Sequence, residues 1–430
     1  MNVKYLIIGN SVAGVNCAEA IRESDGKGTI AMVSDERETN YSRPLIARYL
    51  GGRFKRDQLS FREPGFYEEN GVKLLTGKKA VKLDTVGRSV RLDDGAMIEY
   101  EKLLIATGGT PIIPKISGLR PGIKGVFTFA RLADVDAIVA HMERNKTKEA
   151  VVVGGGLIGL KATEGLLERG IKVRIVEMAE RILPNTFDPA ASDLIENRLK
   201  AAGCAIYKDN VVKKLVCSGD RVKSVVLKGG QRLPGGLLVL AIGVRPNLEL
   251  VNGTKIKTDR GISVDRHMLT SVPNVYAAGD CAQGFDFLSL ADSVIAIWPV
   301  AARQGKIAGH NMAGRAEIYP GLFAMNAVQI LDAPTISFGT TNPPPDAGYT
   351  VLSRMDPETG VYRKIVLKDN LVAGVILINA IERAGIYGML IREKVDVSSF
   401  KSEMLDDDFG LLALPRQVLK HVVKDEGIEM

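Results

Sequence analysis

Cysteine is scarce in this 430-residue chain, where Cys17, Cys204, Cys217 and Cys281 are the full set. No two of them form a CxxC pair, which argues against a zinc knuckle, an iron–sulfur cluster motif or a vicinal redox dithiol. Scattered single cysteines fit a reducing, cytoplasmic compartment. Histidine is equally rare, and His141, His267, His310 and His421 share no metal-ligand spacing, so no metal site is expected. No apolar run approaches the ~20 residues needed to span a bilayer. The first residues carry one lysine and run straight into a glycine turn, unlike a signal peptide. Excess charge of one sign is also missing: 57 basic minus 50 acidic residues leaves +7, with no basic run of five or more. Nucleic-acid binding is therefore not expected, whereas a basic face for an acidic protein partner stays open. The 45 glycines follow no repeat period, which excludes a collagen-like chain.

What is present reads as a globular protein of two or three domains, because the length exceeds what one core holds. Residues 3–8, VKYLII, form an apolar strand that runs into a turn. Gly9, Ser11 and Gly14 take the three small-residue positions of a GxGxxG fingerprint, with Ser11 in place of the middle glycine. Ala13 and Gly14 allow a helix over 15–21 to sit close to the strand. The start of that helix presents unpaired amides and a positive dipole end to a pyrophosphate. A strand over 29–34 then ends at Asp35 and Glu36, where an acid is placed for a ribose hydroxyl.

Residues 150–153 begin the pattern again. Gly154, Gly156 and Gly159 complete the triplet, with Leu157 and Ile158 between the last two glycines. A helix over 160–169 stops at Gly170, and the strand over 172–176 ends at Glu177. A carboxylate there repels a 2′-phosphate and favours NAD over NADP, although Arg174 and Arg181 keep NADP open. A lone fingerprint is weak evidence, but two complete units are strong. A nicotinamide hydride reaches only an acceptor ring a few ångströms away, so two dinucleotides held face to face each need a pyrophosphate cradle. The natural acceptor is FAD.

Three further segments, LLIATGG at 103–109, AIGVRPN at 241–247 and VPNVYAAGDCA at 272–282, join the two fingerprints. With them the chain resembles, over about residues 1–320, the FAD-dependent pyridine nucleotide-disulfide reductase superfamily. The resemblance implies an α/β fold of two Rossmann-like dinucleotide-binding domains, the NAD domain inserted in the FAD domain, plus a small C-terminal α+β domain. The implied bounds are 1–112 and 248–318 for FAD, 113–247 for NAD and 319–430 for the C-terminal interface domain. For FAD it implies Gly9, Ser11, Ala13, Gly14, Asp35, Arg43, Arg48, Val81, Ala106, Thr107, Gly108, Arg131, Asp280 and Trp298. For NAD(H) it implies Gly154, Gly156, Leu157, Ile158, Gly159, Glu177 and Gly243.

NYSRPLIARYL, 40–50, has no cysteine where disulfide reductases and thiol-dependent NADH oxidases place one or two. It is similar instead to reductases of small iron–sulfur carriers: ferredoxin reductases, rubredoxin reductases and the flavin portion of nitrite reductases. That branch implies hydride delivery from NADH to FAD, then single electrons to an iron–sulfur protein. Alternatives are a flavin subunit of an anaerobic 2-oxoacid or aldehyde oxidoreductase, an NADH oxidase, and a flavoprotein used mainly for binding. Where many relatives carry Glu two residues after the last fingerprint glycine, this chain has Lys161, and the partner position is Arg48. These two are the candidate catalytic residues. Two cations repel unless another group intervenes, and Glu164, three residues on, is placed to partner Lys161. Positive charge beside the flavin is expected to favour its anionic reduced form and raise its potential.

From about Tyr319 the glycine-turn pattern stops. FAMNAVQILDAPTISFG, YTVLSRMD, YRKIVLKDN and LVAGVILIN read as strands, followed by helices over 380–392 and 414–424. His421 and Glu426 match the spacing of a disulfide-reductase pair, and with no flavin-side cysteine to serve they are read as coincidence. The domain is expected to shape a partner-docking side or a homodimer contact.

Overall fold

The computed structural model describes residues 1–416, 418 and 419. The predicted helix over 414–424 lies mostly beyond them, and His421 and Glu426 lie outside the described residues.

Six strands run side by side in the first sheet, in the order 72–75, 30–33, 2–8, 97–105, 89–92, 80–84. Asn2–Ile8 pairs in parallel with both neighbours, so Ile8 stands between Val33 and Ile105. Met97–Ile105 changes partner along its length. Its first half pairs antiparallel with Ser89–Leu92, and its second half pairs in parallel with Val275–Ala277. The chain therefore leaves this sheet and returns to it late.

Between these visits it builds a second sheet, all parallel, in the order 205–207, 172–176, 149–153, 237–240, 126–128. Val151, Val152, Leu238 and Val239 are fully buried there. Continuous apolar strands are what a parallel sheet covered on both faces demands. An antiparallel meander of 212–218, 221–227 and 232–234 packs beside it. The chain crosses between the two sheets through a short antiparallel pair, Gly109–Pro111 with Val244–Pro246.

Close helix packing fixes the first unit. Val12–Ser24 crosses Trp298–Met312 at small residues: a Cβ on Gly305 would lie 2.1 Å from the Ala13 carbonyl oxygen, and one on Gly309 2.4 Å from that of Cys17. Cys17 is thus a packing residue. The helices begin at Val12 and Leu157, each about one turn before the sequence expectation, because each fingerprint's middle residue is the N-cap.

The third sheet is antiparallel, in the order 325–330, 333–339, 371–378, 361–368, 349–356, and Ala384–Arg392 packs on it through Tyr387, Leu390 and Ile391. The segment read as one strand over 323–339 is a hairpin that turns at Leu331–Asp332. Leu331 has φ 53°, a left-handed conformation that leucine seldom adopts. No glycine or asparagine marks the turn, and Asp332 alone is a weak local signal for it.

Candidate functional site

The two glycine turns share their geometry. Gly9 has φ +123° and Gly154 has φ +113°. A Cβ on Gly9 would sit 2.1 Å from the Ala106 carbonyl oxygen, and one on Gly154 2.3 Å from that of Ala241. Each turn thus lies backbone against backbone on the end of a neighbouring strand. Gly14 and Gly159 repeat the match, since a Cβ on either would meet the carbonyl oxygen of Gly9 or Gly154 at 1.9 and 2.0 Å.

Gly156 is different. It has ordinary extended φ of −80°, and a Cβ there meets nothing within 4 Å. Neither conformation nor protein packing demands glycine, so open space in front of the helix N-terminus is the remaining reason, and a phosphate fits it. Ser11, its counterpart, caps its helix without a side-chain hydrogen bond.

Above the first turn lies a cavity of about 560 Å³. Its walls include Gly9, Ser11, Ala13, Asp35, Arg43, Arg48, Ala106, Thr107, Gly108, Arg131, Asp280 and Trp298. Leu157, Ile158 and Lys161 join from the second unit, and Ala327, Val328 and Gln329 from the third sheet. Gly14 stands behind the wall, against the turn. Val81 does not face the cavity: it is 42% exposed, and its neighbour Ala80 lines the wall. The register of this strand breaks between Ala80 and Lys82, at Val81. Gly154, Gly156, Gly159, Glu177 and Gly243 are outside the cavity walls. The Glu177 carboxylate accepts hydrogen bonds from Gly155 N at 2.6 Å and Ala179 N at 2.8 Å, tying the second turn to the strand end.

Charges in the cavity are paired with care. Asp35 meets Arg131 at 3.0 Å. Glu36, next to Asp35 at the strand end, takes the Tyr41 hydroxyl at 2.6 Å and the Arg43 guanidinium. Arg43 also donates to the Ala130 carbonyl at 2.7 Å. Burial pushes the Asp280 carboxyl above the ordinary carboxylate range, with Arg43 pulling it back. Asn10 accepts from the Tyr67 hydroxyl at 2.7 Å, while its own buried Nδ2 has no partner. A buried orphan donor on a cavity wall fits a ligand oxygen. Trp298 is seated edge-to-face on Phe61, with ring centroids 5.2 Å apart.

The two cations singled out from the sequence do not face each other unpaired. Lys161 bonds to Glu164 and donates to the Gln329 carbonyl at 3.0 Å. Arg48 stands 4.0 Å from Glu168, which Arg53 holds at 2.8 Å. Both carboxylates lie on the helix Leu157–Glu168 with Lys161. The 161, 164, 168 spacing put them on one stripe, a signal the sequence reading used only for Glu164.

No cysteine lines the cavity among the described residues. Cys17, Cys204 and Cys281 are buried. Burial pushes all three thiols up, that of Cys204 to about 11, so they are poor nucleophiles. Also among the described residues, no group of His, Cys, Asp and Glu is placed to hold a metal ion, and no helix is long and apolar enough to cross a membrane.

A cavity built on one dinucleotide turn, and lined also by the first helical turns of a second such unit, defines a two-dinucleotide flavoprotein oxidoreductase. The chain belongs to the pyridine nucleotide-disulphide oxidoreductase family, which matches residues 3–305, and residues 325–395 match the rubredoxin NAD+ reductase C-terminal domain. It is an FAD-dependent NAD(P)H oxidoreductase that binds FAD and uses NAD(H).

Subunit epsilon of the NADH-dependent phenylglyoxylate dehydrogenase of Aromatoleum evansii is 32% identical over 422 residues, 97% of each chain. The NADH oxidase of Methanocaldococcus jannaschii is 33% identical, covering 74% of this chain and 72% of its own. The ferredoxin reductase of Rhodopseudomonas palustris superposes with a TM-score of 0.80 at 28% identity, covering 88% of this chain and 91% of its own.

Proposed function

We propose that this protein exchanges electrons between NADH and an iron–sulfur protein through bound FAD. One observation carries the reading: residues of both dinucleotide units meet around a single cavity whose described walls contain no thiol. In this reading Gly9, Ser11, Ala13 and Arg131 hold the FAD pyrophosphate, Asp35 its adenosine ribose and Asp280 the ribityl or phosphate region. Ala106, Thr107 and Gly108 close the lobe, with Arg43, Arg48 and Trp298 beside the ring. Gly154, Gly156, Leu157, Ile158, Gly159, Glu177 and Gly243 hold the nicotinamide dinucleotide.

The bound flavin supplies hydride acceptance and release of single electrons. The chain's own residues orient and insulate. Leu157 and Ile158 present apolar surface at the junction and exclude water from it. Arg43 keeps cationic charge next to Asp280 in the buried part of the site. The same reading divides the chain into an FAD domain of 1–112 and 248–318, an NAD domain of 113–247 and a C-terminal domain of 319–430. The crossing strands at 109–111 and 244–246 sit at those boundaries. A cytoplasmic location suits this chemistry.

The ferredoxin reductase likeness supports a freestanding enzyme. A specific observation favours a second reading: the end-to-end match to a dehydrogenase subunit supports the same electron path inside a larger oxidoreductase, with an iron–sulfur subunit as partner. Anaerobic mixing tests the proposal. FAD-loaded protein should bleach with NADH and recover its colour when ferredoxin or rubredoxin is added. A colourless protein that takes up no FAD overturns it. Rapid turnover with oxygen and no carrier turns the reading to an NADH oxidase.

A further inference from the structure

The cavity touches the third sheet at one place. Ala327, Val328 and Gln329 form part of its wall near the end of the strand Met325–Ile330, and the chain then reverses at Leu331–Asp332. This turn is held from outside its own sheet. The Leu331 N–H, in its left-handed conformation, donates to the Glu164 carboxylate. The Gln329 carbonyl accepts from Lys161 at 3.0 Å, and the Asp332 carboxylate meets Arg198 at 2.6 Å. All three holders come from helices of the second unit. Lys161 and Glu164 also bond to each other, with side chains 20% and 9% exposed. Lys161 faces the cavity and Glu164 stands behind it.

We infer that Lys161 and Glu164 work as a charge-balanced pair: Glu164 is a positioning residue that anchors the wall at 327–331 and cancels the field of the Lys161 ammonium, and the balance between them sets the potential of the flavin. This rests on the FAD site proposed above. A unit charge in a half-buried wall acts on a neighbouring redox group far more strongly than one in water. Reduced flavin carries more negative charge than oxidised flavin, so an unbalanced ammonium favours the reduced form and an unbalanced carboxylate opposes it. A pair within bonding distance behaves as a small dipole, and its effects nearly cancel. Of the neighbouring cations, Arg43 is balanced one to one by Glu36, whereas Arg48 and Arg53 share the single carboxylate of Glu168.

Three variants of the full FAD-loaded chain test the inference: Glu164→Gln, Lys161→Met and the double substitution. Glutamine keeps an oxygen for the Leu331 N–H while losing the charge. Midpoint potentials are read by equilibrium titration against a reference dye, with thermal melting recorded alongside. Glu164→Gln should move the reduced-to-oxidised ratio at fixed solution potential at least tenfold toward reduced flavin, about 30 mV for a two-electron couple. Lys161→Met should move it toward oxidised flavin. If that variant fails to fold with Glu164 left unpaired, Lys161→Gln supplies the same arm. The double variant should return to within threefold of wild type. Potentials that stay together while melting temperatures fall, or single variants that shift in the same direction, overturn the pair. A wild-type chain that binds no flavin overturns the FAD site itself, whereas one that binds flavin with equal potentials in all forms overturns only the pair.

Discussion

The first and second glycine turns share their backbone conformation and their close approach to a strand end, yet their surroundings differ. The first opens into a cavity walled by segments from across the chain: 43–48, 106–108, 129–131, 278–280 and the helix Trp298–Met312. The second leaves Gly156 facing open space, and its fingerprint glycines lie outside that cavity. One local device therefore serves two purposes. Buried on many sides, it suits a resident cofactor. Left open, it suits a dinucleotide that must come and go with each turnover.

The sharpest way to break this comparison is to add one methyl group to each turn. Gly9→Ala places a Cβ 2.1 Å from a backbone oxygen at a φ alanine avoids, and should cost about 3 kcal/mol together with flavin binding. Gly156→Ala meets no protein atom, so stability should hold within about 0.5 kcal/mol. Bound flavin should survive in that variant, while the KM for NADH rises roughly tenfold, the cost of about 1.4 kcal/mol. Thermal melting, flavin absorbance and steady-state kinetics read all three quantities. Loss of flavin in the Gly156 variant would show that the second turn is not the exchanging site.

Asp280 sharpens the picture of the resident site. Its folded-state carboxyl is raised by burial, so its favourable contribution is present below the ordinary carboxyl range and is lost as pH rises through the folded value. Flavin-free Asp280→Asn should therefore melt higher than wild type at neutral pH, and the two should converge near about pH 3. The same variant should bind FAD more weakly, by roughly tenfold, or about 1.4 kcal/mol. Calorimetry across pH and flavin titration measure the two effects. Equal melting at pH 7 would remove the idea that this carboxylate is held ready for a ligand at a cost in stability.

Glu177 probes the exchanging site through its choice of cofactor. Glu177→Ala removes the acceptor for the Gly155 and Ala179 amides and the charge that repels a 2′-phosphate. The ratio of kcat/KM for NADH over NADPH should fall by roughly tenfold. An unchanged ratio would shift cofactor choice to Arg174 or Arg181. The smallest expected effect is none: alkylating the accessible thiols should leave the rate of flavin reduction by NADH unchanged. Three of the four cysteines are buried, and none lines the described cavity. A strong loss of rate would revive a thiol relay.

Much of this site was legible in the sequence because its signals are local. A glycine that must adopt φ above +100° beside a carbonyl oxygen has no substitute, so Gly9 and Gly154 can be read from spacing. Asp280 could be read for the same reason, since Gly279 before it has φ +80° and approaches Ala13 closely. Other features left little local trace. Ala80 rather than Val81 lines the cavity, at a break in register between Ala80 and Lys82 that the local sequence does not mark. The Leu331–Asp332 turn has no glycine because its support comes from Glu164 and Arg198, far away along the chain. Glu168, the carboxylate opposite Arg48, became visible as a partner only once the helix Leu157–Glu168 packed against 46–50, where Gly165 lets the backbones approach.

By itself, then, the order of residues determined two dinucleotide turns, the acid that follows each, and the absence of a cysteine beside the Arg-Pro segment. Those properties depend on φ angles, helix ends and residue identity over a few positions, and such short-range constraints survive in any fold that contains them. Tertiary structure alone decided which turn was enclosed, what neutralised Arg43 and Arg48, and which strand of the third sheet completed the wall. These depend on Coulomb and packing interactions between atoms distant in sequence, whose separations are set only when the sheets assemble.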